Sequence, residues 1–194
     1  MKISGFLPIR LLPLFCSFLL ILIILMGLVT SWDQLRAAEK NASGLVLTSP
    51  SFKNGEMIPA KFTCDGVNIS PALEWSSPPN NTKSFVIICD DPDAPVGTWV
   101  HWVYYDISPE FKGLPENVPP ERLPSIGGKQ GLNDFYRIGF GGPCPPQGIH
   151  RYYFKLYALD VMLNLAPGLT KRELLSKMEG HILGEACFMG KYGR

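Results

Sequence analysis

A chain of 194 residues, 46% hydrophobic and 18% charged, has the size of one domain and enough apolar content to bury a core. Its formal net charge of +1 carries no basic footprint, which argues against a nucleic-acid partner. The 18 prolines and 19 glycines fall between apolar runs without a repeat, so they punctuate turns in a β-rich fold.

Residues 1–31 differ in kind from the rest. Leu11 to Val29 is almost wholly Leu, Ile, Phe, Val and Met, preceded by Lys2 and Arg10. The run is membrane-directed, either a signal peptide or an anchor, and its approach to the ~20 residues of a bilayer crossing leans toward an uncleaved anchor. The positive-inside rule puts Lys2 and Arg10 in the cytoplasm and the following chain outside, in the cell envelope. Residues 32–44 are polar and read as a linker, and residues 45–194 as the folded domain.

Within that domain apolar runs of strand length recur between turn signals: Leu45 to Thr48, Ser84 to Cys89, His101 to Ile107, Phe135 to Phe140, and Tyr152 to Leu159. Proline-rich pieces such as Ser76 to Asn81 and Leu114 to Pro120 cannot continue a ladder and are expected as loops. An antiparallel sandwich or barrel-like β domain follows. Near the end, Thr170 to Glu173 forms a capping box, with Leu174, Leu175, Met178 and Ile182 at helical spacing and Gly184 as the expected stop. His181 on this helix is expected at the surface, without a chemical role.

Chemistry concentrates in two stretches. Asp90, Asp91 and Asp93 lie in a loop stiffened by Pro92 and Pro95, where Asp91 is expected to point inward and Asp93 to cap the turn's own amides. Strict alternation after that loop puts His101, Val103 and Tyr105 on one strand face and Trp102, Tyr104 and Asp106 on the other. The second stretch, Gly142 to Tyr152, surrounds His150 with prolines that fix φ and glycines that permit close backbone approach. Alternation places His150 and Tyr152 side by side at a strand entrance. A carboxylate, two imidazoles and a phenol suit a small anion such as phosphate, with Asp91 orienting a histidine or meeting a cationic headgroup.

A facial metal triad from the same His, His and Asp is a weaker reading, and no metal or other cofactor is expected. Hydrolysis with a histidine base lacks a Gly-x-Ser-x-Gly elbow or a paired nucleophile, so an enzyme is the lesser alternative, beside a protein-interaction regulator of unknown partner. Cys64 and Cys144 both lie in turn-rich segments, and a disulfide, if one forms, is expected between them. Cys89 and Cys187 sit in apolar runs and are expected as small buried hydrophobes.

Several motifs occur in a recognisable order: Thr63-Cys-Asp-Gly66, Ser70-Pro71, Asp91-Pro-Asp-Ala-Pro95, His101-Trp102, Asn133-Asp134, Gly142-Pro-Cys-Pro-Pro146 and His150-Arg-Tyr152. From about Leu45 onward the chain resembles the phosphatidylethanolamine-binding protein family, in its bacterial and archaeal branch of Raf kinase inhibitor-like proteins. The resemblance implies a mainly β fold with a large central antiparallel sheet, a second smaller sheet and peripheral helices including a C-terminal one. It also implies a pocket for phosphate-like anions and phospholipid headgroups, carried here by Asp91, Pro95, His101, Pro146, His150 and Tyr152. Cys144 falls at the pocket rim, where animal members tend to have glycine. The spacers Pro95 to His101 and Pro146 to His150 are shorter than theirs.

Overall fold

The computed structural model describes residues 44–194. The anchor or signal read over residues 1–31 lies outside them, as does nearly all of the linker. Among the described residues no helix is long and apolar enough to cross a membrane. The strands are β1 (Val46–Thr48), β2 (Leu73–Ser76), β3 (Ser84–Asp91), β4 (Trp99–Ile107), β5 (Gly113–Leu114), β6 (Lys129–Gln130), β7 (Ile149–Leu159) and β8 (Ile182–Gly193). A 3₁₀ turn covers Ala60–Phe62, and one α-helix, α1, covers Lys171–Met178.

These strands form a large antiparallel sheet in the order β6-β4-β3-β7-β8 and a small one in the order β1-β2-β5. Every residue of β3 is buried, which is why its sequence is a nearly unbroken apolar run. One face of the large sheet packs Phe85, Ile87, Trp102, Tyr104, Phe154 and Leu156 against Leu47, Leu73 and Trp75 of the small sheet. The other face packs Val86, Ile88, Val103 and Tyr105 beneath Leu174 and Met178 of α1. Burial of such large side chains is worth about 1.5–3 kcal/mol each, and both faces of the sheet are served.

The helix begins as the capping box requires. Thr170 Oγ1 accepts from the Glu173 amide at 3.3 Å, and the Glu173 carboxylate accepts from the Thr170 amide at 2.8 Å. Its end differs from the expected one. The chain turns at Glu179 and Gly180, where φ is +82°, and Ile182 and Gly184 belong to β8. That strand escapes a periodicity argument because Gly184, Gly190 and Gly193 interrupt its apolar pattern. Gly190 is required there: a Cβ would lie 2.5 Å from Ile58 and 2.6 Å from Phe52, which pack across the strand. Cys187 stands exposed on β8 beside the inward Phe188, whereas Cys89 is buried as expected.

The expected strand Phe135 to Phe140 is a turn. Asn133 Oδ1 accepts the amides of Phe135 and Arg137, both at 3.1 Å, and the Tyr136 amide donates to the Asn133 carbonyl. An asparagine side chain that satisfies local amides outcompetes a ladder. The turn holds Tyr136 at φ +59°, 86% exposed, while Phe135 turns inward.

Candidate functional site

At one end of the large sheet a cleft of about 200 Å³ is lined by residues of the β3–β4 loop, the Asn133 turn, the proline-rich rim and the start of β7. Asp91, Pro95, His101, Cys144, Pro146, His150 and Tyr152 all line it. Ala94, Val96, Trp99, Phe135 and Pro145 complete the wall. Phe135, expected on a strand, instead lines the cleft from a turn that the Asn133-Asp134 pair signals.

Strict alternation fails at His101, and the failure builds the site. Cys89 pairs with Trp102 and Asp90 with Val100, so β4 carries one extra residue opposite β3. This β-bulge at His101 takes the ring away from Val103 and Tyr105 and sets it against Tyr152, with ring centroids 5.1 Å apart and edge-on. Phe135 closes the other side at 5.2 Å. His101 Nδ1 lies 2.6 Å from the Gly141 carbonyl oxygen, an acceptor only, so Nδ1 carries the proton and Nε2 is the remaining nitrogen. Burial pushes the His101 pKa below its ordinary value, against the opposing pull of the Gly141 carbonyl and the carboxylates of Asp91, Asp134 and Asp90.

The three acidic residues of the loop separate in space. Asp91 Oδ2 accepts from His150 Nδ1 at 2.7 Å, both side chains being buried, and Asp91 Oδ1 accepts the Asp93 amide at 2.8 Å. Asp91 is therefore the residue that caps the turn. Asp93 instead clasps Arg151, accepting its backbone amide at 2.9 Å, Nε at 2.8 Å and Nη2 at 2.6 Å. These bonds hold the Asp93 carboxyl at about 2. Asp90 faces the opposite side of the sheet, where the ammonium groups of Lys155 and Lys171 meet its carboxylate.

The rim owes its position to close packing. A Cβ on Gly142 would sit 2.3 Å from Asn68 Oδ1 and 2.6 Å from the Phe62 carbonyl, so only glycine lets the rim lie on the 3₁₀ turn. The Gly142 amide donates to Asn68 Oδ1 at 2.8 Å, and the Cys64 amide donates to the Pro143 carbonyl at 3.0 Å. A disulfide joins Cys64 to Cys144, with Cα atoms 5.4 Å apart. Gly148, at φ +73°, turns the chain into β7.

Two residues that line the cleft, Trp99 and Tyr152, each carry a polar atom, Nε1 and the hydroxyl, that is buried without a hydrogen-bond partner. Burial raises the Tyr152 phenol above its usual range, and the negative charges of Asp91 and Asp93 add to the rise. The Cys144 backbone amide tempers that rise from nearby without reaching hydrogen-bond geometry. A buried donor without an acceptor costs ~1–3 kcal/mol, so this pair gives the cleft a preference for an acceptor-bearing guest. Among the described residues no group of three His, Cys, Asp or Glu side chains is disposed to hold a metal ion.

A large antiparallel sheet, a small second sheet and a cleft at the ends of β3, β4 and β7 define a fold that the comparisons with known proteins identify. The phosphatidylethanolamine-binding protein family model matches residues 48–193, and the chain belongs to that family. Among curated relatives it is 52% identical over 149 residues to a UPF0098 protein of Methanothermobacter thermautotrophicus, covering 76% of this chain and 98% of that one. It is 51% identical over 160 residues to a UPF0098 protein of Aquifex aeolicus, covering 79% and 92%. Among solved structures, a putative phosphatidylethanolamine-binding protein homologue from Chlamydia trachomatis superposes with TM-score 0.73 at 44% identity, covering 78% of this chain and 99% of that one. YbcL of E. coli, described as a member of the mammalian family, superposes with TM-score 0.71 at 33% identity, covering 77% and 98%. The branch is the bacterial and archaeal one.

Proposed function

We propose that the cleft binds a small oxyanion of the phosphate kind, free or as the headgroup of a phospholipid. The observation that carries this reading is the pair of buried, unpartnered donors, Trp99 Nε1–H and Tyr152 O–H. A guest with several acceptor oxygens removes their desolvation cost when the wall opens enough to bring an oxygen to either donor. His101 and His150, each with Nδ1 already engaged, offer Nε2 to the same guest. The lining contains neither lysine nor arginine, so positive charge for an anion comes from protonation of the His101 imidazole.

Asp91 has both oxygens engaged by protein donors, which favours its role as the group that orients His150 over that of a receptor for a headgroup amine. The name of the matched family is consistent with a phospholipid source for the guest. From the sequence of residues 1–31 we also infer that the domain lies outside the cytoplasm, tethered to a membrane or exported. The test of the cleft is a titration of the protein with phosphate and with phosphoethanolamine, followed by imidazole NMR. His101 and His150 are expected to shift while the exposed His181, which pairs with Asp160, stays still. Absence of any shift at both cleft rings sinks the proposal.

A further inference from the structure

The disulfide between Cys64 and Cys144 stands at the mouth of the cleft, and its surroundings differ from those of a buried structural bridge. Cys144 is exposed and is itself part of the cleft wall. The Arg194 guanidinium lies on both sulfurs, with Nη2 at 2.6 Å from Cys64 Sγ and 3.0 Å from Cys144 Sγ. That guanidinium is held in place by Asp65, which accepts Nε at 3.0 Å and also the Tyr192 hydroxyl at 2.6 Å. Backbone bonds in both directions between Arg194 and Gly148 fix the same residue to the far end of the rim.

We propose that Cys64–Cys144 is a thiol–disulfide exchange site for a dithiol reductant, and that its opening slackens the wall of the cleft. In the first step a thiolate of the reductant attacks Sγ of Cys144, the cysteine of the pair that is exposed, the Cys64–Cys144 bond breaks, and Cys64 Sγ leaves as a thiolate. The reductant's second thiolate then attacks its own sulfur in the mixed disulfide and expels Cys144 Sγ. The reductant becomes an intramolecular disulfide, and the protein gains two electrons and, after protonation, two protons. Exchange speeds up as the leaving thiolate is stabilised, and a cation in contact with both sulfurs stabilises either one.

The fold limits what opening does. Gly142 and Pro143 stay bound to Asn68 and to the Cys64 amide, and Gly148 stays bound to Arg194. Between these anchors lie Cys144, Pro145, Pro146 and Gln147, and the two prolines have no amide with which to replace the lost link. Three of the four line the cleft. Reduction therefore frees one short stretch of wall and leaves the sheets intact. The effect on ligand binding rests on the anion reading above; the exchange chemistry does not.

The test uses the full chain, oxidised, in detergent, and follows reduction by dithiothreitol through thiol labelling of Cys64 and Cys144. Wild type is expected to be reduced about tenfold faster than Arg194→Ala, with Arg194→Lys recovering part of the rate. Amide exchange at Cys144 and Gln147 is expected to rise about tenfold on reduction while Gly148, still bonded to Arg194, and β3 stay protected. Phosphate affinity is expected to fall roughly fivefold. A rate indifferent to Arg194, unchanged rim exchange, or unfolding of the sheets on reduction each overturns the proposal. Phosphate binding equally to both forms also overturns it. Phosphate binding to neither form overturns the anion reading instead, and rim exchange still decides this one.

Discussion

Asp90 and Asp91 are adjacent on β3, both buried, and they face opposite sides of the same sheet. Asp90, 1% exposed, meets the ammonium groups of Lys155 and Lys171 under the edge of α1. Asp91 meets one imidazole and one amide of its own loop. Taken alone, each is a buried carboxylate with close partners. What separates them is their company. Around Asp90 two cations close on one anion, and although Asp90 Oδ1 makes no directed hydrogen bond, the Lys155 ammonium lies 2.8 Å from it, whereas the cleft around Asp91 leaves Trp99 Nε1 and the Tyr152 hydroxyl with neither a hydrogen bond nor a charge. A buried charge thus marks a site only when its neighbourhood is left unfinished.

The contrast is broken most forcefully from the helix side. Asp90→Ala leaves two like charges facing each other without their anion, and should cost about 2–3 kcal/mol in urea denaturation. That lies below the full penalty for an orphaned buried pair because the lysine side chains are 34% and 22% exposed. Phosphate affinity of the folded fraction should fall only slightly, through the lost pull of the Asp90 carboxylate on His101. Asp91→Asn is expected to reverse the balance, costing about 1 kcal/mol of stability while lowering phosphate affinity roughly tenfold, because His150 loses a charge-assisted partner. Equal affinity losses in the two variants would erase the distinction between the faces.

The same two faces show how much of the fold is legible in the sequence. The apolar run of β3, the paired His150 and Tyr152, and the capping box of α1 are local patterns with a single physical solution, and they stand in the structure as read. His101 was placed on the wrong face because alternation assumes an unbroken ladder, and the bulge depends on the register of β4 against β3. The separate fates of Asp90, Asp91 and Asp93 depend on Lys155 and Lys171, on His150 and on Arg151, all distant in sequence and silent about their partners. β8 was lost for a related reason: Gly190 weakens a strand pattern locally, and the side chains of Phe52 and Ile58 that require it lie more than a hundred residues away in the chain.

Protonation offers a sharper test on the cleft side. His101 has its pKa depressed below 6.5 by burial, so between that depressed value and 6.5 the unfolded chain binds more protons than the folded one. Stability should accordingly fall as pH drops through 6.5 toward the folded value, and His101→Gln should flatten that part of the profile. An anion in the cleft favours the imidazolium, so affinity should rise over the same fall in pH. Dimethyl phosphate, whose single charge does not titrate there, is the suitable probe. Affinity that is flat with pH would mean that His101 stays neutral against the guest.

The finest distinction lies in the unmet donors themselves. If Tyr152 and Trp99 are held unfinished for a guest, removing the polar atom should help the empty protein and harm the occupied one. Tyr152→Phe deletes a buried hydroxyl that has no partner, keeps the ring against His101, and should raise stability by up to about 1 kcal/mol. Phosphate affinity should fall about fivefold, as one fewer donor meets the anion. Trp99→Phe should move both quantities in the same directions, with part of the stability gain lost to weaker packing on Phe135. A Tyr152→Phe protein that is less stable and binds phosphate as before would place the hydroxyl with Asp90, as a structural group whose partner is a protein atom such as the Cys144 amide.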